Sequence, residues 1–191
     1  MGIDPKIEQS TRKMLGHAIR RELDELAAVA RSGESEVIVG SIPLCLFVSA
    51  YIAIDVSDRW PTDADIRQIA KNAAESVTRL DITEQEIYAY LSRVALGSEK
   101  LDDVFSDEGL ATIPLFATAN MLLTFCPDDR DWWEYLDQIW DAAETAEHTS
   151  LTVLPALMLR AHKESTSKVS TVRNFVQQHA DTKSDDRNHE R

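Results

Sequence analysis

Glu134, Asp137, Asp141, Glu144 and His148 recur at three- and four-residue intervals late in the chain. On a helix turning 100° per residue they fall within about 80° of arc, while Trp132, Trp133, Tyr135, Leu136, Ile139 and Trp140 cover the adjoining side. An acid stripe therefore runs beside an aromatic wall. Carboxylates and an imidazole on one helix face can ligate a divalent cation, and Asp137, Asp141, Glu144 and His148 are the residues that would do so. Their spacing argues against it. Metal sites in bundles draw inward-facing ligands from several helices, with Glu-x-x-His repeated, whereas here the spacing is Glu-x-x-x-His and no second helix repeats it. No metal, cofactor or catalytic residue is assigned on these grounds.

Like charges at these spacings cost a few tenths of a kcal/mol each, and the helix has no Lys to offset them. Water and salt can screen an exposed face within about 10 Å. A basic surface can also compensate it, either the arginines of the first helix or the Lys and Arg of another protein. The second case makes Trp132, Trp133, Glu134, Tyr135, Asp137, Asp141 and Glu144 a surface for a basic protein partner, with the rings as anchors where they are exposed.

The bulk charge points the same way. The 191 residues carry a net charge of −13, and residues 99–147 hold 13 acids against only Lys100 and Arg130. Such a field repels phosphates, which argues against nucleic acid as a partner. The segment 62–97 could form a helix-turn-helix, but four basic against six acidic residues make it a poor DNA reader. "DDRD" at 128–131 could hold magnesium against a diphosphate, yet aspartates at a helix start are explained by capping. Phosphate-binding glycine loops, GxSxG, HExxH and paired cysteines are all missing. Cys45 and Cys126, each inside an apolar run, suit a reducing, cytoplasmic setting.

Helix signals dominate the chain, so the expected class is all-α: a compact bundle of about 7–9 helices in one domain over 1–165. The first helix is expected over 6–31, with Leu15, Ile19, Leu23, Leu26, Ala27 and Ala30 on one stripe. The second should start at Ser41, with Pro43 in its first turn where a missing N–H costs nothing. Thr62 with Asp65 and Thr83 with Glu86 form capping boxes for the next two helices, the latter closing at Gly97. A short helical piece near 100–105 then leads to Thr112 and Pro114, which open another apolar helix, and Asp128 with Asp131 caps the tryptophan-rich one. Further helices are expected at 155–162 and around Val169–Val176, and disorder from Asp181 onward. Residues 37–54 and 109–126 are each 18 residues without a charge, long enough to span a membrane, but their flanks are acidic and lack aromatic or basic anchors.

"SIPLCLFVSAYIAIDVSDRW" at 41–60 matches "TIPLFATANMLLTFCPDDRD" at 112–131 without a gap, at an offset of 71, in Ile42/Ile113, Pro43/Pro114, Leu44/Leu115, Asp58/Asp129 and Arg59/Arg130. The likeness continues into the next helix, which favours a duplicated three-helix unit, 41–97 and 112–163, over recurring cap chemistry. The overall reading is a non-enzymatic interaction or regulatory protein, which could also pair with itself as a homodimer. The alternative is a small-molecule- or metal-binding helical enzyme with its site between the two units; a DNA-binding regulator ranks below both.

Overall fold

The structure is a computed structural model that describes residues 4–32, 35–76, 82–96 and 107–146. The expectations for 97–106, for 155 onward, for His148 and for the third helix of the second unit lie outside those residues. Seven helices form the described part, in the order α1 (Pro5–Arg20), α2 (Leu23–Ser32), α3 (Ser35–Ser57), α4 (Asp63–Ser76), α5 (Glu84–Leu96), α6 (Asp107–Phe125) and α7 (Trp132–Ala146). The chain is all-α and closely packed, as its composition requires.

Three boundaries differ from the sequence reading. The first helix is two helices, because Arg21 adopts a left-handed conformation (φ 62), its N–H turning back to the Ala18 carbonyl at 3.1 Å and the next N–H, of Glu22, to that of His17 at 2.9 Å. His17 Nδ1 and Arg20 Nε both meet Glu22, at 2.7 and 2.9 Å, and tie off the break. The apolar stripe survives it, with Leu15, Leu26 and Ala27 buried and Ile19 and Leu23 partly so.

The two apolar helices start earlier than expected, at Ser35 and Asp107, leaving Pro43 and Pro114 inside them. An interior proline removes one backbone bond, normally a substantial cost. For α3 the turn before Pro43 is pinned by packing: a Cβ built on Gly40 would lie 2.5 Å from Ile7 Cδ1, so α1 lies directly on the helix backbone. The third difference is the cap of α7, where Asp131 N–H donates to Glu134 Oε2 at 3.1 Å. The box is Asp131 with Glu134, one turn later than Asp128 with Asp131.

A few contacts set the helix directions. Gly40 of α3 meets Ile7, near the start of α1, while Trp132, the first residue of α7, meets Gly16, near its end; a Cβ on Gly16 would lie 3.5 Å from Trp132 Cη2. Tyr135 Oη donates to Asp55 near the end of α3 at 2.7 Å. Gly40 and Asp55 are about 22 Å apart along a helix, so both contacts can form only if α3 runs in the direction of α1. In the turn leaving α6, Cys126 Sγ lies 3.3 Å from the Arg130 carbonyl, which places the end of α6 beside the start of α7. Further back on α6, Thr118 Oγ1 reaches the Cys45 carbonyl at 3.1 Å and Ser49 Oγ at 2.8 Å. Thus α1, α3 and α6 run in parallel and α7 runs back, carrying Asp137 down to Arg12.

The core lies around α3 and α6. Ile52, Ile66, Ile87, Leu91, Met121, Leu122, Leu136 and Ile139 are fully buried, each worth about 1.5–3 kcal/mol on transfer from water. α4 and α5 pack as a hairpin against this pair, α5 on α3 and α4 on α6. The window Gly40–Ser57 is long and apolar enough to cross a membrane, but 67% of it is buried inside the protein, the pattern of a core helix.

The hydroxyls between α3, α5 and α6 satisfy one another. Tyr90 Oη donates to Ser49 Oγ at 3.2 Å, and Thr118 also approaches the Pro114 carbonyl at 2.6 Å. Burial pushes the Tyr90 phenol and the Cys45 thiol up, the latter to about 12. Thr118 is the offset partner of Phe47, and it sits against Cys45 and Ser49, the residues two before and two after Phe47. The two helices therefore meet in the register of the sequence match.

Candidate functional site

The acid stripe begins at the first turn of α7, and the fold treats its members differently. Glu134 closes the helix cap by accepting from Asp131 N–H. Asp137 is bound inside the molecule: Arg12 Nη1 lies 2.6 Å from its Oδ1, while Arg12 Nη2 holds Glu8 at 3.0 Å. Although burial opposes it, these two carboxylates raise the Arg12 ionisation above its ordinary value. Of the compensators weighed from sequence, α1 is the one found at Asp137, so this carboxylate does not face outward alone. Asp141 is exposed and has a partner of its own. The Glu144 side chain and His148 lie outside the described residues. No group of three or more His, Cys, Asp or Glu that could hold a metal occurs among the described residues.

The aromatic wall also divides. Tyr135 is 1% exposed, and its hydroxyl is committed to Asp55. Burial, then the bond to this carboxylate, raises its ionisation above the ordinary tyrosine value. Tyr135 is thus a strut between α7 and α3 and cannot serve as an exposed anchor. Trp132 is partly buried against the core, on the α1 backbone at Gly16, and Trp140 is buried. Trp133 remains, 45% exposed. As the second residue of α7, it projects from a capped first turn.

The structure adds a residue that sequence reasoning missed. Trp60 is also 45% exposed, and it sits in the turn after α3. Asp58 there is left-handed (φ 51), as suits a residue just past a helix C-terminus. Arg59 lies 2.6 and 3.2 Å from the two oxygens of Asp65, and Pro61 is buried. Thr62 N–H and Oγ1 donate to the same carboxylate at 2.7 and 2.6 Å, completing the expected capping box. The hydroxyl and amide of Thr62, then Arg59, hold the Asp65 ionisation below the usual carboxylate range. The available signal was the shared order of the two turns, Asp-Arg followed by Trp, in "DRW" and "DRDWW".

These turns lie at the same end of the bundle, because α3 and α6 run in parallel. Asp55, Asp58, Asp128, Asp129, Asp131 and Glu134 are exposed there. The guanidiniums of the turns neutralise little of this charge: Arg59 is bound to Asp65, outside that set, and Arg130 is divided between Gln138 and, at 3.7 Å, Asp129. The break between α1 and α2 adds Arg20 and Arg21, but also Glu22, Asp24 and Glu25. What the arrangement offers is an anionic rim at the end that bears two exposed tryptophans. Among the described residues it pairs no nucleophile with a base. The α3–α6 seam, where a site between the two units would sit, is filled by Cys45, Ser49, Tyr90 and Thr118. Comparison with known protein families, with curated proteins and with solved structures finds no match, so the geometry stands without a relative to interpret it.

Proposed function

We propose that this chain is a non-enzymatic interaction or regulatory protein that recognises a basic partner protein through the end of the bundle bearing the α6–α7 turn. One observation carries the reading: Trp133 is held exposed on a capped first turn, among Asp128, Asp129, Asp131 and Glu134, with Arg130 as the cation of that turn and already engaged. Tryptophan is enriched among the residues that dominate binding energies, and carboxylates around it steer a cationic partner. Asp137 leaves the proposed contact set because Arg12 holds it, and Tyr135 leaves it because it is buried. A cytoplasmic location belongs to the same reading, supported by the unpaired thiols of Cys45 and Cys126. So does duplication of a three-helix unit, supported by the in-register meeting of α3 and α6.

The test is affinity capture with the wild type and with an Asp58→Asn/Asp128→Asn/Asp129→Asn variant, which spares the caps. Basic proteins should be enriched by the wild type, released as salt rises, and lost with the variant. Identical capture by both chains would end the proposal.

A further inference from the structure

Among the described residues, the large apolar side chains left exposed are Val56, Trp60, Leu123 and Trp133, at 44%, 45%, 40% and 45%. Single exposed apolar residues are ordinary on a protein surface, but these four are not scattered. Val56 closes α3 and Trp60 follows it; Leu123 is in the last turn of α6, and Trp133 is in the first turn of α7. The Tyr135–Asp55 bond ties α7 to α3 at this same level.

Both tryptophans stand on backbone that the fold restrains. A residue before proline is confined to extended conformations, so Trp60 is restricted by Pro61, which is itself buried, and Arg59 is clamped to the next helix through Asp65. Trp133 is fixed by the helix it begins and by the Asp131–Glu134 cap. Ordering a surface before its partner arrives reduces the entropy lost on binding, and it is this property that separates an anchor from a stray exposed ring.

Resting on the proposed function, we infer that the docking surface spans both turns, with Trp60 and Trp133 as two fixed anchors, and that its occupant is a cationic amphipathic segment of another protein. The charge around the anchors selects that chemistry. A bare polycation would leave two large rings in water, an apolar helix without cations would strand the carboxylates of Asp58, Asp128 and Asp129, and a second copy would bring like charge to like charge. A segment with Lys or Arg beside an apolar face satisfies both sets of groups.

The experiment uses two labelled probes with the same number of arginines, a 20-residue Arg/Leu peptide patterned as an amphipathic helix and a correspondingly shorter oligo-arginine, titrated by fluorescence anisotropy into the full chain. The expected result is that Trp60→Ala and Trp133→Ala each weaken the amphipathic probe by about tenfold or more, while oligo-arginine binding changes little. Asp58→Asn/Asp128→Asn/Asp129→Asn should weaken both probes. Trp60→Phe and Trp133→Phe, which keep an apolar ring, should recover much of the loss. If Trp133→Ala weakens the amphipathic probe and Trp60→Ala does not, the two-anchor surface is overturned while recognition at α7 stands. Failure of both probes to bind the wild type would overturn both. A change of oligomeric state in Trp60→Ala, seen by sedimentation, would assign the surface to a second copy and overturn the inference.

Discussion

Arg59 and Arg130 each follow an aspartate at the end of an apolar helix, yet Arg59 grips a carboxylate of the next helix, Asp65, whereas Arg130 reaches the neutral amide of Gln138. The first turn thereby cancels one of its own charges, and its cap carboxylate receives the Thr62 N–H, the Thr62 hydroxyl and a guanidinium. The second turn spends its cation on an uncharged partner and on Asp129 at 3.7 Å, and its cap carboxylate receives a single N–H. One short motif has been put to two uses. The first turn locks its guanidinium and cap carboxylate into a joint while Trp60 and Asp58 stay exposed; the second keeps more of its negative charge, around the exposed Trp133.

The turns also attach to the core differently, which gives the largest expected effect. Tyr135→Ala removes a buried strut between α7 and α3 and should cost about 3–5 kcal/mol in urea unfolding. Tyr135→Phe keeps the ring and loses only the bond to Asp55, for about 1–2 kcal/mol. Equal losses for the two would mean that the ring itself contributes little. A smaller effect compares the caps: Thr62→Ala should cost about 1 kcal/mol, and Glu134→Ala less than about 0.5 kcal/mol, because it ends one exposed bond. The reverse order would contradict the division of labour between the turns.

Smaller again is the backbone contrast. Asp58 is left-handed, so Asp58→Gly should stabilise by about 0.5 kcal/mol through relief of the side-chain clash, whereas Asp129→Gly should give no gain. The smallest effect is in the acid limb. Asp65 and, through Tyr88 and Arg67, Asp63 have ionisations held below the ordinary carboxylate range. Lower values in the folded state mean that their contribution is complete above that range and is lost as pH falls through the folded-state values. Asp65→Asn should therefore flatten the acid side of the stability curve, measured by urea unfolding from neutral to acidic pH.

Most of the architecture was legible in the residues. Apolar periodicity marked the helices, and the Thr62 and Thr83 boxes placed two helix starts correctly, since a cap is a local bargain between side chain and backbone within one turn. The break at Arg21 was less visible because the apolar stripe continues through it. The prolines misled for a related reason: a first-turn position suits proline, but tertiary contact at Gly40 can hold the turn before it. At the candidate site the spacing of the stripe was readable, but its neutralisation was not, because Arg12 and Asp137 are brought together only by the packing of α7 against α1.

Taken alone, the sequence determined an all-helical chain, its apolar central pair, its acidic surplus and the matching turns, all of which depend on composition and on neighbours a few residues apart. Tertiary structure decided which carboxylates are already paired, which aromatic rings reach solvent, and that Trp60 and Trp133 share one end. Those outcomes depend on helix direction and on contacts between residues as far apart as Asp55 and Tyr135, and no local pattern encodes them.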